Sequence, residues 1–263
     1  MRIVVKILLS VVMFMLIESA SAAPARSKPV PVLMAWTSGA LLPALQALAP
    51  EFEQDHGLKL QFEVAPSTGK SADSVARRLA RKQPADIVVM NDFAMAKLQA
   101  RGQIFTGSRV GLGKSFIAMA VRQGASPPDI RTEAAFRRAL LAADSIGYTD
   151  SPSGLYLSRV LFVRMGLPEG FQRKTRMLAA GGMADAISSG RVQVGFAQFS
   201  ELKPEPGIDI VGLIPDQMQQ MTLYSAAVLK GSNQHDAAQA FLDYLASPQG
   251  REAIVASGLQ PAR

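Results

Sequence analysis

Between Val30 and Gly102 the chain alternates strand-like and helix-like segments, and that alternation limits its fold more than any other feature. Val30 to Trp36 is a short apolar run of the kind that fills a buried strand. Leu41, Leu42, Leu45, Leu48 and Phe52 then recur at helical spacing, and Gly57 supplies a stop. Leu58, Leu60, Phe62 and Val64 alternate as in a strand, and Val75 and Leu79 mark a short basic helix. Ile87 to Met90 is a compact apolar strand after Pro84-Ala85-Asp86, followed by a helix from Phe93 to Ala100 that Gly102 closes. Strands separated by helices build a parallel sheet covered on both faces.

The rhythm changes in the second half. Phe116 to Arg122 reads as a strand, Thr132 to Ala142 as a helix capped by Thr132 with Glu133 in its first turn, and Ser145 to Tyr148 as a short strand. Helices over Gly154 to Met165 and Met183 to Ser189 follow, with strands over Val192 to Phe196, Ile208 to Val211 and Met221 to Leu229. Two helices, Asp236 to Ala246 and Pro248 to Ser257, end the chain. No linker rich in Gly, Ser or Pro separates the halves, so strands that cross between them are expected to join them. The fold class is α/β with two lobes, each a mostly parallel sheet flanked by helices. Residues 23–112 plus 226–263 form the first lobe and 113–225 the second. The arrangement is expected to be monomeric.

The first residues carry an address. Arg2 and Lys6 precede an apolar stretch from Ile7 to Ile17, and Ala20-Ser21-Ala22 offers the small-x-small pattern of a signal-peptidase site. The stretch is too short to span a bilayer, which takes about 20 apolar residues. Residues 1–22 are therefore expected to be a signal peptide that sends the chain to the periplasm. Absence of cysteine excludes a disulfide scaffold, a thiolate metal site and a thiol nucleophile. His56 and His235 are the only histidines, so zinc and histidine-based acid–base chemistry start at a disadvantage. Composition leans away from an enzyme, and neither metal nor cofactor is expected.

The formal charge of +7 raises the question of nucleic acid. Its densest runs, Arg77-Arg78-Leu79-Ala80-Arg81-Lys82 and Arg173-Lys174-Thr175-Arg176, sit within or just after helices and read as solvated faces. One Trp and four Tyr give few platforms for base stacking, and nucleic acid is not expected as a partner. The surplus is better read as a mild pull on small anions.

Three junctions share one composition: a strand ends, hydroxyl residues and a glycine follow, and a helix begins. They are Thr37-Ser38-Gly39, Ser67-Thr68-Gly69-Lys70-Ser71 and Ser151-Pro152-Ser153-Gly154. Unpaired N–H groups and a partial positive charge at a helix start can hold an anion, and hydroxyls add donors without bulk. Ser, Thr and Gly also cap helices for stability alone, which is the plain alternative at any single junction. Three together point to a cleft that closes on an anion. Gly69-Lys70-Ser71 and Gly113-Lys114-Ser115 resemble the end of a phosphate-binding loop, but Val64 and Ser108 stand where its first glycine belongs. No Gly-x-Ser-x-Gly elbow occurs. Twelve methionines are scattered, as for adaptable core packing.

From about Val30 to Leu259 the chain resembles the periplasmic molybdate-binding proteins and related solute-binding proteins of ABC importers, the type II periplasmic binding proteins. The landmarks are Ala35-Trp36-Thr37-Ser38, Pro84-Ala85-Asp86-Ile87, Ser151-Pro152-Ser153-Gly154, Gly195-Phe196-Ala197-Gln198 and Phe241-Leu242-Asp243-Tyr244-Leu245-Ala246-Ser247-Pro248. The resemblance implies a clamshell of two lobes about a hinge, with ligand between them. It places Ser38 and Ser67 at two serine ligands, Ser153 at a main-chain donor, and Gly182 or Met183 near a second. Gln198 stands where the family has a tyrosine ligand, Gly39-Ala40 looks inserted after Ser38, and Gly69-Lys70 enlarges the second loop. Lys70 and Gln198 suit a larger or asymmetric anion such as an organic carboxylate. Thr37, Thr68 and Gly154 complete the candidate ligand set, while Arg122, Arg109 and Lys114 are weaker candidates.

The expectation is thus a binding protein without a catalytic step. It would capture a small anion, a molybdate- or tungstate-type oxyanion or an organic acid, and deliver it to an ABC permease in the inner membrane. An exported enzyme acting on an anionic substrate, with His56 or His235 as its base, and a ligand-sensing receptor are the alternatives.

Overall fold

The computed structural model describes residues 30–67, 71–179 and 181–262. The expected signal peptide, and Thr68, Gly69 and Lys70 of the second junction, lie outside the described residues.

Eleven strands among the described residues form two sheets. The first contains β1 (Val32–Thr37), β2 (Lys59–Val64), β3 (Ile87–Asn91), β4 (Val110–Ser115), β10 (Thr222–Val228) and β11 (Gln260–Pro261), in the order β11-β4-β10-β3-β1-β2. The second contains β5 (Ile117–Arg122), β6 (Ile146–Thr149), β7 (Thr175–Leu178), β8 (Val194–Gln198) and β9 (Ile208–Leu213), in the order β7-β6-β8-β5-β9. β1, β2 and β3 run parallel, as do β6, β7 and β8. Strands β4, β5, β9 and β10, which carry the chain from one sheet to the other and back, pair antiparallel. Each sheet is therefore mixed, parallel where helices connect its strands and antiparallel where the crossing strands join it. The expected crossing strands are present: Phe116 alone separates β4 from β5, and residues 214–221 separate β9 from β10.

Helices α1 (Leu42–His56), α2 (Val75–Ala80) and α3 (Asp92–Ala100) connect the first sheet, and α9 (His235–Ala246) and α10 (Pro248–Ala256) return to it. Its core takes the apolar stripe of α1 (Leu45, Leu48, Phe52) and of α9 (Phe241, Leu242, Leu245) onto Leu33, Ile87 and Ala226. Trp36, Met90 and Met95 fill the opposite face of the sheet. The second sheet is covered by α4 (Glu133–Ala142), α5 (Pro152–Tyr156), α6 (Phe162–Arg164), α7 (Met183–Ser188) and α8 (Phe199–Leu202). A π turn at Leu157–Leu161 makes α5 and α6 one continuous helical run, close to the helix read over Gly154 to Met165. Phe136, Phe162 and Phe196 pack edge-on in the core of this lobe.

Local signals act as their chemistry dictates. Gly57 ends α1 at φ 62°, in the left-handed region that favours glycine, and the Thr132 hydroxyl accepts the Ala135 N–H at 3.1 Å as the cap of α4. Strands β4 and β7 carried no strand signal in the sequence. Glycines interrupt β4 because α10 and β11 press on it: a Cβ at Gly113 would come within 3.1 Å of Ile254, Leu259 and the Gln260 carbonyl. The phosphate-loop look-alike Gly113-Lys114-Ser115 is part of that strand. β7 is a sheet edge whose Arg176 and Met177 are exposed, so no apolar run marks it. Among the described residues no helix is long and apolar enough to cross a membrane.

Candidate functional site

The carboxyl ends of β1, β2 and β6 meet across the space between the sheets. There Ser38, Gly39, Val64 to Ser67, Asp150 to Pro152, Glu201 and Tyr224 enclose a chamber of about 20 Å³, room for about one water molecule. A small organic acid would enter only with the lobes apart.

At the first junction the Ser38 N–H is held by the Val89 carbonyl at 2.8 Å, which turns the chain from β1 into a single 3₁₀ turn (Gly39–Leu41) leading into α1. The Ser38 side chain reaches the Tyr224 phenol, whereas the Thr37 hydroxyl turns back onto the Ser38 carbonyl at 3.0 Å and is fully buried. At the second junction the Ser67 hydroxyl accepts the Asn91 N–H at 3.1 Å, which leaves its own proton to donate into the chamber. At the third, three hydroxyls form a chain: Thr149 to Ser151 at 2.8 Å, and Ser151 to Ser153 at 3.0 Å. Ser151 lines the chamber and also accepts the Gly154 N–H at 3.3 Å, so Ser153 and Gly154 stand one hydrogen bond behind the wall.

The remaining candidates lie elsewhere. Gln198 is buried beside the crossing strand, its Nε2 3.3 Å from the Thr222 hydroxyl, while its Oε1 has no protein partner. Met183 packs into the core of the second lobe, close enough that a Cβ on Gly147 would stand 3.1 Å from its sulfur. Arg109 is paired with Asp92 at 2.6 Å, Lys114 lies within β4, and the Arg122 guanidinium lies against Gly190. His56 stacks on Phe52 at 3.9 Å between ring centroids, and His235 meets Phe105 at 4.4 Å. Both line a shallow groove beside the starts of β1 and β2, at the strand ends opposite Ser38 and Ser67. Replacing either histidine with Ala is expected to leave any turnover within about twofold, as for surface positions remote from a site.

Three polar chamber residues were not singled out from the sequence: Asp150, Glu201 and Tyr224. Glu201 is the third residue of α8, whose cap is Gln198, the last residue of β8. Its carboxyl meets the Gln198 backbone, which is one half of the reciprocal pair in a capping box; Gln198 makes no side-chain capping bond, so the Ser/Thr-x-x-Glu signature is missing from the sequence. Burial in the chamber pushes this carboxyl up to about 7, and the Gln198 hydrogen bond only partly offsets that. Burial first, and the Glu201 charge second, push the Tyr224 phenol well above its ordinary value, so it stays a donor at neutral pH. Among the described residues no lysine or arginine lines the chamber. It thus offers hydroxyl and phenol donors around a carboxyl poised between its two protonation states, which is the equipment for moving a proton.

Known proteins share this architecture. The Azotobacter vinelandii periplasmic molybdate-binding protein superposes with a TM-score of 0.70 at 18% identity, over 86% of this chain and 98% of that one. The substrate-binding domain of a putative molybdenum ABC transporter from Clostridium difficile gives 0.63 at 18% identity, over 88% and 98%. At these identities the likeness is one of fold. A protein named aconitate isomerase, from a Pseudomonas species, is 49% identical over 235 residues, 89% of this chain and 90% of its own. That relative is named for a catalysed reaction, and it overturns the expectation that this chain performs no chemistry. The expectation considered only a histidine, or a hydroxyl nucleophile with its base, and a catalysed reaction need use neither. The profile of the bacterial extracellular solute-binding proteins matches residues 33–260, nearly the whole described chain. With the two lobes, the crossing strands and the chamber between the sheets, this match settles that the chain belongs to the family of bacterial extracellular solute-binding proteins.

Proposed function

We propose that this chain isomerises a small unsaturated polycarboxylate such as aconitate, with Glu201 as the proton-transferring base. The observation that carries the reading is the Glu201 carboxyl, enclosed among hydroxyl donors and raised to about 7. The relative named aconitate isomerase supports the substrate class.

In the proposed step, ionised Glu201 removes a proton from the methylene carbon of the substrate, which lies next to a carboxylate and to the double bond. The electron pair left behind spreads over the three-carbon allylic system and onto the carboxylate oxygens. Glu201 then returns a proton to the former vinyl carbon, and the double bond ends one position away. Substrate and product have the same atoms, and the carbon skeleton is the same read from either end. The geometry of the product is set by the conformation held about the new double bond.

Charge that builds on the substrate oxygens is met by the Ser38, Ser67 and Ser151 hydroxyls and by the Tyr224 phenol. Tyr224→Phe removes one such donor and is expected to lower kcat about 100-fold with KM nearly unchanged, because the contact strengthens only as charge develops. A fall in KM-limited rates alone would assign Tyr224 to ground-state binding instead.

Export through the leader at residues 1–22 agrees with membership of an extracellular family. The test is direct: purified protein is incubated with cis- or trans-aconitate, and the vinyl signals of the two isomers are followed by proton NMR. Interconversion that Glu201→Gln abolishes is the expected result. Tight binding of aconitate or of an oxyanion without interconversion would leave solute capture, the role in the family's name, as the reading.

A further inference from the structure

We propose that Gly39 is a positioning residue for Glu201: its missing side chain leaves the niche in which the carboxyl of the base sits. This rests on the reading of Glu201 as the base. A Cβ built on Gly39 has as its three nearest neighbours Glu201 Oε1 at 3.2 Å, Cδ at 3.5 Å and Cγ at 3.7 Å. No backbone reason for a glycine exists there. Gly39 opens the 3₁₀ turn before α1 with φ outside the positive region, and Ala at a helical position is favoured over Gly by up to about 1 kcal/mol. The turn would therefore gain from almost any other residue. What it would lose is the approach of a carboxyl 162 positions away in sequence.

The helix beneath the carboxyl does not give way. Helix α8 is pinned on both sides: Ser200 and Leu202 are buried, the Lys203 ammonium donates to the Ala256 carbonyl at 2.6 Å, and the Phe199 ring packs against Gly258. A methyl group at position 39 must therefore be absorbed by the Glu201 side chain itself. Among the described residues the other titratable groups around the carboxyl are Tyr224 from β10 and Asp150 from the turn after β6; Lys203, on its own helix, is turned away to Ala256. A methyl at 3.2 Å takes further solvation from the ionised form and shifts the carboxyl by a few tenths of an ångström.

The experiment follows the Glu201 carboxyl by carbon-13 NMR titration in the substrate-free protein, with Glu201→Gln to assign the signal, in wild type, Gly39→Ala and Gly39→Val. Gly39→Ala is expected to keep or raise Tm and to move the Glu201 midpoint upward by about one unit. Its kcat/KM should fall about tenfold, mostly in kcat, as for a small misplacement of a reacting group. Gly39→Val, whose branches would occupy the carboxylate position, should enlarge both effects. A Glu201 midpoint that stays put in both variants overturns the proposal, whatever happens to the rate. A midpoint that moves in a protein that does not isomerise aconitate upholds the positioning and sinks the isomerase reading, so the two failures are separable.

Discussion

Glu201→Gln is expected to lower aconitate turnover about 1,000-fold, within the range that a positioned acid–base group supplies, while aconitate still binds. The amide keeps the shape of the carboxyl and its place beside Gln198 and Gly39, so binding geometry survives and only the transferable proton is lost. The wild-type pH profile should show the same group. Because the base must be ionised, kcat/KM should climb with pH and level off above an apparent pKa of about 7, and that acid limb should vanish from the residual rate of the variant.

Stability should move the opposite way. The carboxyl is raised from 4.5 to about 7 by desolvation, so the folded protein holds that proton more tightly than the unfolded chain does. Below about 4.5 the group is neutral in both states and costs nothing; between about 4.5 and 7 the unfolded chain gives up the proton that the folded protein keeps, so stability falls as pH rises, and above about 7 the ionised form sits in a chamber that solvates it poorly and the loss levels off. At about pH 8 the penalty is no more than about 3 kcal/mol. Glu201→Gln removes it, so the variant should melt several degrees above wild type at about pH 8 and level with it at about pH 4. Turnover within tenfold of wild type would dismiss Glu201 as the base. A variant less stable than wild type at high pH would dismiss the desolvated carboxyl.

What the sequence disclosed and what it concealed divide along the range of the interactions involved. Strand ends, caps and stop signals are local, and Thr132, Gly57 and the junction serines could be read from their neighbours. The junctions put Ser38 and Ser67 on the chamber wall, because a strand end that feeds a helix start puts its hydroxyls at one edge of a sheet, but at the third junction Ser151 lines the wall in place of the expected Ser153 and Gly154. Glu201 carried no comparable mark: it is one acidic residue in a helix of four, and its proton affinity comes from burial against residues of the other lobe. Tyr224 reads as an ordinary aromatic in a buried strand until β10 is paired with β3, register Tyr224 to Asn91, which brings it to the chamber beside Ser38. Few histidines weighed against an enzyme only because the chemistry considered was histidine chemistry. Gln198, inferred from the position of a family tyrosine, proved to matter to the wall through its backbone contact with Glu201, its side chain turning to Thr222.

Gly154→Ala is expected to be the most destabilising single change at the site, at about 3 kcal/mol, the upper end of what forced overpacking costs. A Cβ there would fall on the Thr149 carbonyl oxygen, far inside van der Waals contact, and 2.9 Å from its carbon. Both neighbours are backbone, so no side chain can give way. Alanine would return up to about 1 kcal/mol of helix propensity, which the clash outweighs. For a domain of this size the net loss of about 2 kcal/mol corresponds to a fall in Tm of roughly 4–8 °C. The same device occurs twice: Ser247-Pro248-Gln249-Gly250 opens α10 as Ser151-Pro152-Ser153-Gly154 opens α5. In both, the serine accepts the glycine N–H, at 3.1 and 3.3 Å, and in both a Cβ on the glycine would strike carbonyl oxygens of the preceding segment. The motif by itself is therefore a way of starting a helix tightly against the chain before it, and only its place at the chamber can give one copy a chemical role. Gly250→Ala supplies the control: it should destabilise as Gly154→Ala does, yet leave kcat/KM unchanged at a temperature where both variants are folded. Gly154→Ala, by displacing Thr149 and with it the chain of hydroxyls through Ser151, should lose at least about tenfold in kcat/KM under the same conditions. Equal losses in the two variants would reduce the third junction to a cap.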